Sequence, residues 1–182
     1  MNKQHDVMGK ISLFIACSID GYIAAPNNDL DFLSIVEDGN EDYGYHEFVN
    51  GVDTVIVGRT TYDWVLKHAA YPHTDKKSYV MSTREGENTE YLQFYQGDLV
   101  QLAIQLKQNG QHVYCEGGAE IIHQLLLSDL IDEMIISYIP VLLGGGTPLF
   151  KPGVHRIKFK TESVKSYPKG LIQVRFKRER FN

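Results

Sequence analysis

Three short stretches of this 182-residue sequence gather residue types that bind phosphate. In the first, the apolar run 54–57 stops at Gly58, and Arg59, Thr60 and Thr61 follow. In the second, Val113-Tyr114-Cys115-Glu116 stops at Gly117-Gly118, and Ala119 and Glu120 open a new segment. A strand–glycine–helix junction presents unpaired N–H groups and a partial positive charge, so each can hold an anion. In the third, Tyr79-Val80-Met81 leads into Ser82, Thr83 and Arg84, two hydroxyls and a guanidinium. Arginine is the side chain best shaped for bidentate contact with phosphate. A Rossmann NAD site wants an acid for the ribose hydroxyls. Arg59 and Arg84 point instead to a 2′-phosphorylated dinucleotide. Two charge-assisted hydrogen bonds, at about 1.5–3 kcal/mol each, favour NADPH over NADH by roughly a hundredfold or more.

Each stretch alone also has an ordinary explanation. Gly117-Gly118 fits a tight turn with no ligand, and Arg59 fits a surface helix. Neither GxGxxG nor the GxxxxGK[ST] phosphate loop occurs. Asp20 is the candidate acid, because a hydride acceptor such as C=N needs a proton delivered to the same bond. Asp20-Gly21 reads equally as a turn. Phe32 and Trp64 fit packing positions, and His46 fits a helix surface or a pocket wall. The triplet Gly144-Gly145-Gly146 fits either a sharp turn or a close backbone approach to a ligand.

The elements that must position these residues alternate. Residues 11–19 form an almost wholly apolar run, as expected of a strand buried on both faces. The pattern then gives a helix over 42–49, a strand over 54–57, a helix over 60–66, and strands over 78–82 and 91–95. Asp98 caps a helix through Asn109, with Leu99, Leu102, Ala103 and Leu106 at helical spacing and Gly110 ending it. A strand over 113–115, a helix over 119–127 and a strand over 133–139 follow. Segments 156–167 and 171–178 flank Pro168-Lys169-Gly170, a turn signal that closes a hairpin. The expected fold class is α/β, three layers α/β/α, around a mainly parallel sheet that ends in an antiparallel hairpin. In such sheets ligands sit beyond the carboxyl ends of the strands, where the glycine junctions lie.

Composition narrows the function classes. The net charge of −5 argues against nucleic acid as a partner. Cys17 and Cys115 each sit in an apolar run, and no metal-ligand spacing occurs, so neither zinc nor a disulfide framework is expected. No run is long enough to span a membrane, and 1–8 reads as a polar, loose tail without a signal-peptide core. Residues 9–182 then read as one domain, and the expected compartment is the cytoplasm.

Taken in order, Ser18-Ile19-Asp20-Gly21-Tyr22-Ile23-Ala24, Val57-Gly58-Arg59-Thr60-Thr61-Tyr62, Met81-Ser82-Thr83-Arg84, Glu116-Gly117-Gly118-Ala119 and the segment 140–150 resemble the dihydrofolate reductase-like superfamily. Within it they are similar to the RibD C-terminal type, the reductase half of the riboflavin-biosynthesis deaminase/reductase. The resemblance covers nearly the whole chain after Gly9 and implies about eight strands, NADPH as cofactor and a homodimer joined near the C-terminal strands. It implies that Gly58, Arg59, Thr60 and Thr61 hold the pyrophosphate and 2′-phosphate, and that Ser82, Thr83 and Arg84 line the adenosine end. Gly117, Gly118, Ala119 and Glu120 would offer backbone N–H groups, and the loop 20–33 would close over nicotinamide and substrate. Phe32 stands where many relatives have tryptophan and would wall the substrate pocket. His46 matches the histidine of a His-x-Leu-Arg motif, but Phe48 and Val49 replace its leucine and arginine. Asp42 lies near the spacing of the pterin-binding carboxylate of dihydrofolate reductases. The implied activity is reduction of 5-amino-6-(5-phosphoribosylamino)uracil, with a pterin as the alternative substrate and a non-catalytic dinucleotide-binding module as a third reading.

Overall fold

A computed structural model of the chain describes residues 8–180. The tail expected over 1–8 therefore lies, except for Met8, outside the described residues. Ten strands form, β1 (Lys10–Ser18), β2 (Tyr22–Ala24), β3 (Thr54–Gly58), β4 (Lys77–Met81), β5 (Leu92–Tyr95), β6 (His112–Gly117), β7 (Glu133–Ile139), β8 (Thr147–Pro148), β9 (Phe159–Ser166) and β10 (Ile172–Arg178). The helices are α1 (Tyr45–Asn50), α2 (Arg59–His68), α3 (Leu99–Gln108) and α4 (Ala119–Leu127). Eight strands make one sheet in the order β5-β4-β3-β6-β1-β7-β10-β9. The six strands from β5 to β7 are mutually parallel, and β10 and β9 add the antiparallel hairpin.

The strand side chains alternate between two cores, as the pleat requires. Ile11, Leu13, Ile56, Val113, Cys115 and Ile136 pack against α3 and α4. On the other face, Val55, Tyr114 and Ile135 meet Phe48 of α1, and Val57 and Val80 meet Tyr62 of α2. Three layers result. Asp98 caps α3 by accepting from the Gln101 amide at 2.8 Å, as its position predicts.

Several expected bounds shift by a few residues. The helix expected from residue 42 begins at Tyr45, because Asp42 accepts from the Gly44 and His46 amides and so sits outside the helix it caps. The helix expected over 60–66 runs from Arg59 to His68. The strand expected from residue 156 starts at Phe159. The loop 20–33 is also more built than the sequence suggested. It contains β2, which pairs antiparallel with β8 as a separate two-stranded sheet, and a 3-10 turn over Asp31–Ile35.

Candidate functional site

Because six neighbouring strands run parallel, their carboxyl ends share one rim. On it stand Ser82–Arg84 after β4, Gly58 and α2 after β3, Gly117 and α4 after β6, and Asp20 after β1. The two glycine junctions touch. A Cβ on Gly58 would lie 3.3 Å from Ile121 and 3.4 Å from the Gly117 oxygen and the Gly118 nitrogen. A Cβ on Gly118 would lie 3.2 Å from the Thr61 hydroxyl. Glycine at both places lets the two helix starts abut. The Gly117–Gly118 peptide is cis, and Gly117 has φ +99°, a conformation suited to glycine. Neither α2 nor α4 has a side-chain cap, so their first-turn N–H groups remain available to an anion.

Arg59 is half-buried. Its Nε donates to Asp63 at 2.7 Å, and its guanidinium carbon lies 4.9 Å from the Phe94 ring centre. Its Nη1 is buried without a hydrogen-bond partner. A bare guanidinium donor beside two uncapped helix starts fits a phosphorylated coenzyme. Thr60 is exposed and Thr61 half-buried, both in the first turn of α2. Thr83 and Arg84 are exposed at the same rim. The Ser82 hydroxyl closes its own turn, donating to the Arg84 oxygen and accepting from the Arg84 amide. Glu120 is paired with Lys151 and Gln124, which hold its carboxyl below the usual range, so only its main chain faces the junction's role.

Asp20 is tied into the fold by its neighbours. It accepts from the Ser18 hydroxyl at 2.6 Å and from the Leu143 and Gly144 amides at 3.1 and 2.7 Å. These bonds, Ser18 first, hold its pKa down at about 2. Such a carboxylate carries no proton at neutral pH. Its task is to pin the glycine loop after β7 to the end of β1. The pairing of β2 with β8 and the bond from the Leu149 amide to the Gly21 oxygen reinforce that seam.

A cavity of about 230 Å³ opens between this seam and α1. Leu33, Val36, Ile139 and Leu171 supply aliphatic walls, and Phe14, Tyr43 and Tyr45 supply aromatic ones. Phe32 is not among its lining residues. It is buried in the cluster with Val36, Ile139 and Leu171, so it supports the wall rather than forming it. Asp42 does line the cavity. The His46 amide, the Gly44 amide and the His46 ring hold its carboxyl below the usual range. His46 itself is 83% exposed and turns to Asp42 at 2.6 Å, away from any lining position.

A buried polar cluster adjoins the cavity, and sequence reasoning missed it. Tyr45 lines the cavity, and its hydroxyl lies 3.4 Å from His73 Nε2. The same nitrogen is 3.3 Å from Glu116 Oε1. His73 is 1% exposed, and Glu116 Oε2 is buried with no partner among the described residues. Burial first, then the Glu116 charge, pushes the Tyr45, Tyr71 and Tyr114 phenols upward, which keeps them protonated. The sequence signal for Glu116 was its place just before Gly117. His73, 43 residues away, carried none.

A larger cavity, about 360 Å³, opens at the opposite end of the strands. Its charged walls pair with one another, Lys107 with Asp132, and Lys10 with Glu133. Mutual pairing makes it a structural ion network, and it lies far from the glycine junctions.

Comparison with known proteins agrees with this fold. The family model for the RibD C-terminal domain matches residues 9–173. The uncharacterized protein YwjB of Bacillus subtilis (strain 168) is 37% identical over 161 residues, covering 87% of this chain and 92% of that protein. A crystal structure from Shewanella sp. PV-4, described as a "putative riboflavin biosynthesis protein", is 33% identical with a TM-score of 0.84, covering 94% and 99% of the two chains. The diaminohydroxyphosphoribosylaminopyrimidine deaminase/5-amino-6-(5-phosphoribosylamino)uracil reductase of Thermotoga maritima shares the fold at a TM-score of 0.68 and 19% identity. This chain spans 94% of its own length there and 57% of that bifunctional chain.

Proposed function

The chain belongs to the RibD C-terminal domain family, and from that premise we propose that it is an NADPH-dependent reductase of a small nitrogen heterocycle. One observation carries the reading. Two uncapped helix N-termini meet at Gly58 and Gly118, beside an arginine with a bare buried donor. The relatives named for riboflavin biosynthesis support reduction of 5-amino-6-(5-phosphoribosylamino)uracil as the specific activity. The Asp42 carboxylate on the cavity wall favours a pterin as the second candidate. A cavity beside the rim, with a buried carboxyl group next to it, weighs against a binding module without catalysis.

When bound, the reduced nicotinamide supplies a hydride. The chain's part is binding, orientation and proton delivery. Gly58, Gly117, Gly118 and Ala119 would let main-chain N–H groups hold the pyrophosphate, and Arg59, with Arg84, would hold the 2′-phosphate. Thr60, Thr61, Ser82 and Thr83 line the approach. Phe14 and Tyr45 wall the substrate ring and exclude water. Glu116, steadied on Oε1 by His73 and with Oε2 unpartnered, is the side chain placed to relay a proton toward the atom beside the reduced carbon. Asp20 keeps the glycine loop in place while this happens.

Two copies associating along the C-terminal strands complete the reading. Exposed Val164 of β9 and Ile172 of β10 support that face as the contact. Among the described residues, no helix is long and apolar enough to cross a membrane. The function is tested by calorimetric titration with NADPH and NADH, then by loss of NADPH absorbance with the phosphoribosylaminouracil and with a dihydropterin. Tight NADPH binding and turnover of either substrate support it. No heat with either nucleotide refutes it.

A further inference from the structure

One aromatic ring joins two segments of the coenzyme rim. Phe94 lies on β5, the edge strand of the sheet, opposite Val80 of β4 and so on the face that α2 covers. The Tyr62 ring of α2 meets it at 5.5 Å and 89°. Arg59, the first residue of α2, brings its guanidinium carbon to 4.9 Å from the same ring centre, within reach of a cation–π contact. The bond from Nε to Asp63 fixes one edge of that guanidinium. A single bond leaves the plane free to swing, and the ring supplies the second constraint. Nη1 stays buried with no partner of its own.

The ring is itself held from outside. The loop that follows Arg84 folds back along the edge of β5. Asn88 Oδ1 accepts from the Phe94 amide at 2.7 Å, and Thr89 Oγ1 accepts from the Leu92 amide at 3.1 Å. The Thr89 amide donates to the Leu92 oxygen at 2.9 Å. These are the outward groups of an edge strand, and the loop satisfies them. Gly86 of that loop rests on the Phe94 ring. A Cβ there would lie 2.4 Å from ring Cγ and 2.5 Å from each Cδ, so the close approach depends on glycine. Asn88 therefore fixes the strand position and Gly86 fixes the ring.

We propose that Phe94 is a positioning residue for coenzyme discrimination: held by Gly86 and Asn88, its ring keeps the Arg59 guanidinium placed for the 2′-phosphate before NADPH arrives. Ordering a long, rotamer-rich side chain on binding costs free energy, and a guanidinium already in place avoids most of that cost. The proposal rests on the NADPH reading for its ligand, while the placement of Arg59 is measurable in the free protein.

The test titrates NADPH and NADH into wild type, Phe94→Leu and Gly86→Ala by calorimetry, with a thermal melt of each variant. Phe94→Leu is expected to weaken NADPH about fivefold and NADH less than about twofold. Gly86→Ala leaves Phe94 and Arg59 in the chain but drives a Cβ into the ring, and should narrow the same preference about threefold. In an Arg59→Met background, Phe94→Leu should change NADPH affinity by less than about twofold, because the ring then has no guanidinium to place. In the free protein, solvent exchange of the Arg59 Nε–H, read by NMR, should speed up about fivefold in Phe94→Leu. A ring that only supports the fold, or that touches the coenzyme itself, would weaken both nucleotides alike and keep its effect without Arg59. Either result overturns the proposal, as does an unchanged preference in Phe94→Leu. An unchanged preference in Gly86→Ala overturns the loop's part in it. If Phe94→Leu does not fold, Gly86→Ala decides alone. Failure of wild type to prefer NADPH would overturn the 2′-phosphate reading, and the exchange rate would still decide whether Phe94 places Arg59.

Discussion

Arg59→Met separates the charge of this side chain from its bulk. Methionine keeps an unbranched stem against Phe94 and removes the guanidinium. In the free protein three effects nearly cancel. The partly exposed pair with Asp63, at 2.7 Å, contributes about 0.3–0.5 kcal/mol. The contact with the Phe94 ring contributes about 0.5–1 kcal/mol. Against these, removing the buried, unpartnered Nη1 relieves a desolvation penalty of about 1–3 kcal/mol. The melting temperature should therefore move by only a few degrees. Coenzyme binding should not be so forgiving. Loss of one charge-assisted contact removes about 1.5–3 kcal/mol, which is roughly a tenfold to 150-fold weakening. That loss should fall on NADPH, while NADH weakens less than about threefold, since only NADPH carries the 2′-phosphate. Titration calorimetry with both nucleotides, alongside a thermal melt, reads all of this. Adding Arg84→Ala should widen the gap. Equal losses for the two nucleotides would refute the 2′-phosphate argument, and a collapse in melting temperature would refute the cancellation.

Three further outcomes are expected. Gly146→Ala places a Cβ 2.0 Å from the Ala24 oxygen at φ +125°, so the β2–β8 seam must open. Strain and overpacking together should remove about 2–4 kcal/mol and lower the melting temperature by roughly 5–15 °C; an unchanged melt would show the seam is slack. Glu116→Gln should leave NADPH affinity intact and lower the turnover rate by roughly 10²–10³-fold; a rate within threefold of wild type would remove Glu116 from proton delivery. At the opposite end of the sheet, burial works to raise the Glu133 pKa, but Lys10, Arg175 and Ser12 outweigh it and leave the carboxyl lowered. A lowered carboxyl stabilises above its unfolded-state pKa and loses that contribution as pH falls through the folded one. Glu133→Gln should therefore be about 1–3 kcal/mol less stable to urea at neutral pH, with the difference shrinking in acid; a gap that does not change with pH would contradict the linkage.

Local signals in the sequence were reliable where one element settles the matter. The apolar run ending near Ser18 is β1, Asp98 caps α3, and the helix and strand expected over 119–127 and 133–139 lie where the pattern places them. The glycine junctions were visible as motifs, and parallel pairing of β4, β3 and β6 brings their ends together. What escaped depends on distant partners. The two residues of β8 carry no strand pattern and exist through pairing with β2. Asp42 looked like a helix residue, and its bonds to the next amides place it outside. Asp20 read as a candidate acid, and the bonds from Ser18 of β1 and from the Leu143 and Gly144 amides of one loop, which tie it into the fold, come from residues no local motif pairs with it. Phe32 is buried with Val36, Ile139 and Leu171, contacts from three separate segments that its own loop does not announce. Glu116 and His73 meet only after the chain has passed through β4, β5 and α3 into β6, so no spacing rule could find them.

The central position of β1 governs how the chain can be made. This strand leaves the ribosome ahead of every other strand in its sheet, yet it pairs with β6 from His112 onward and with β7 from Glu133 onward. At about 5–20 residues per second, its apolar edges wait roughly 5–25 s for their neighbours. During that interval Ile11, Leu13 and Ile15 have nothing permanent to pair with, which invites chaperone capture and makes nascent chains stalled before β7 prone to aggregate.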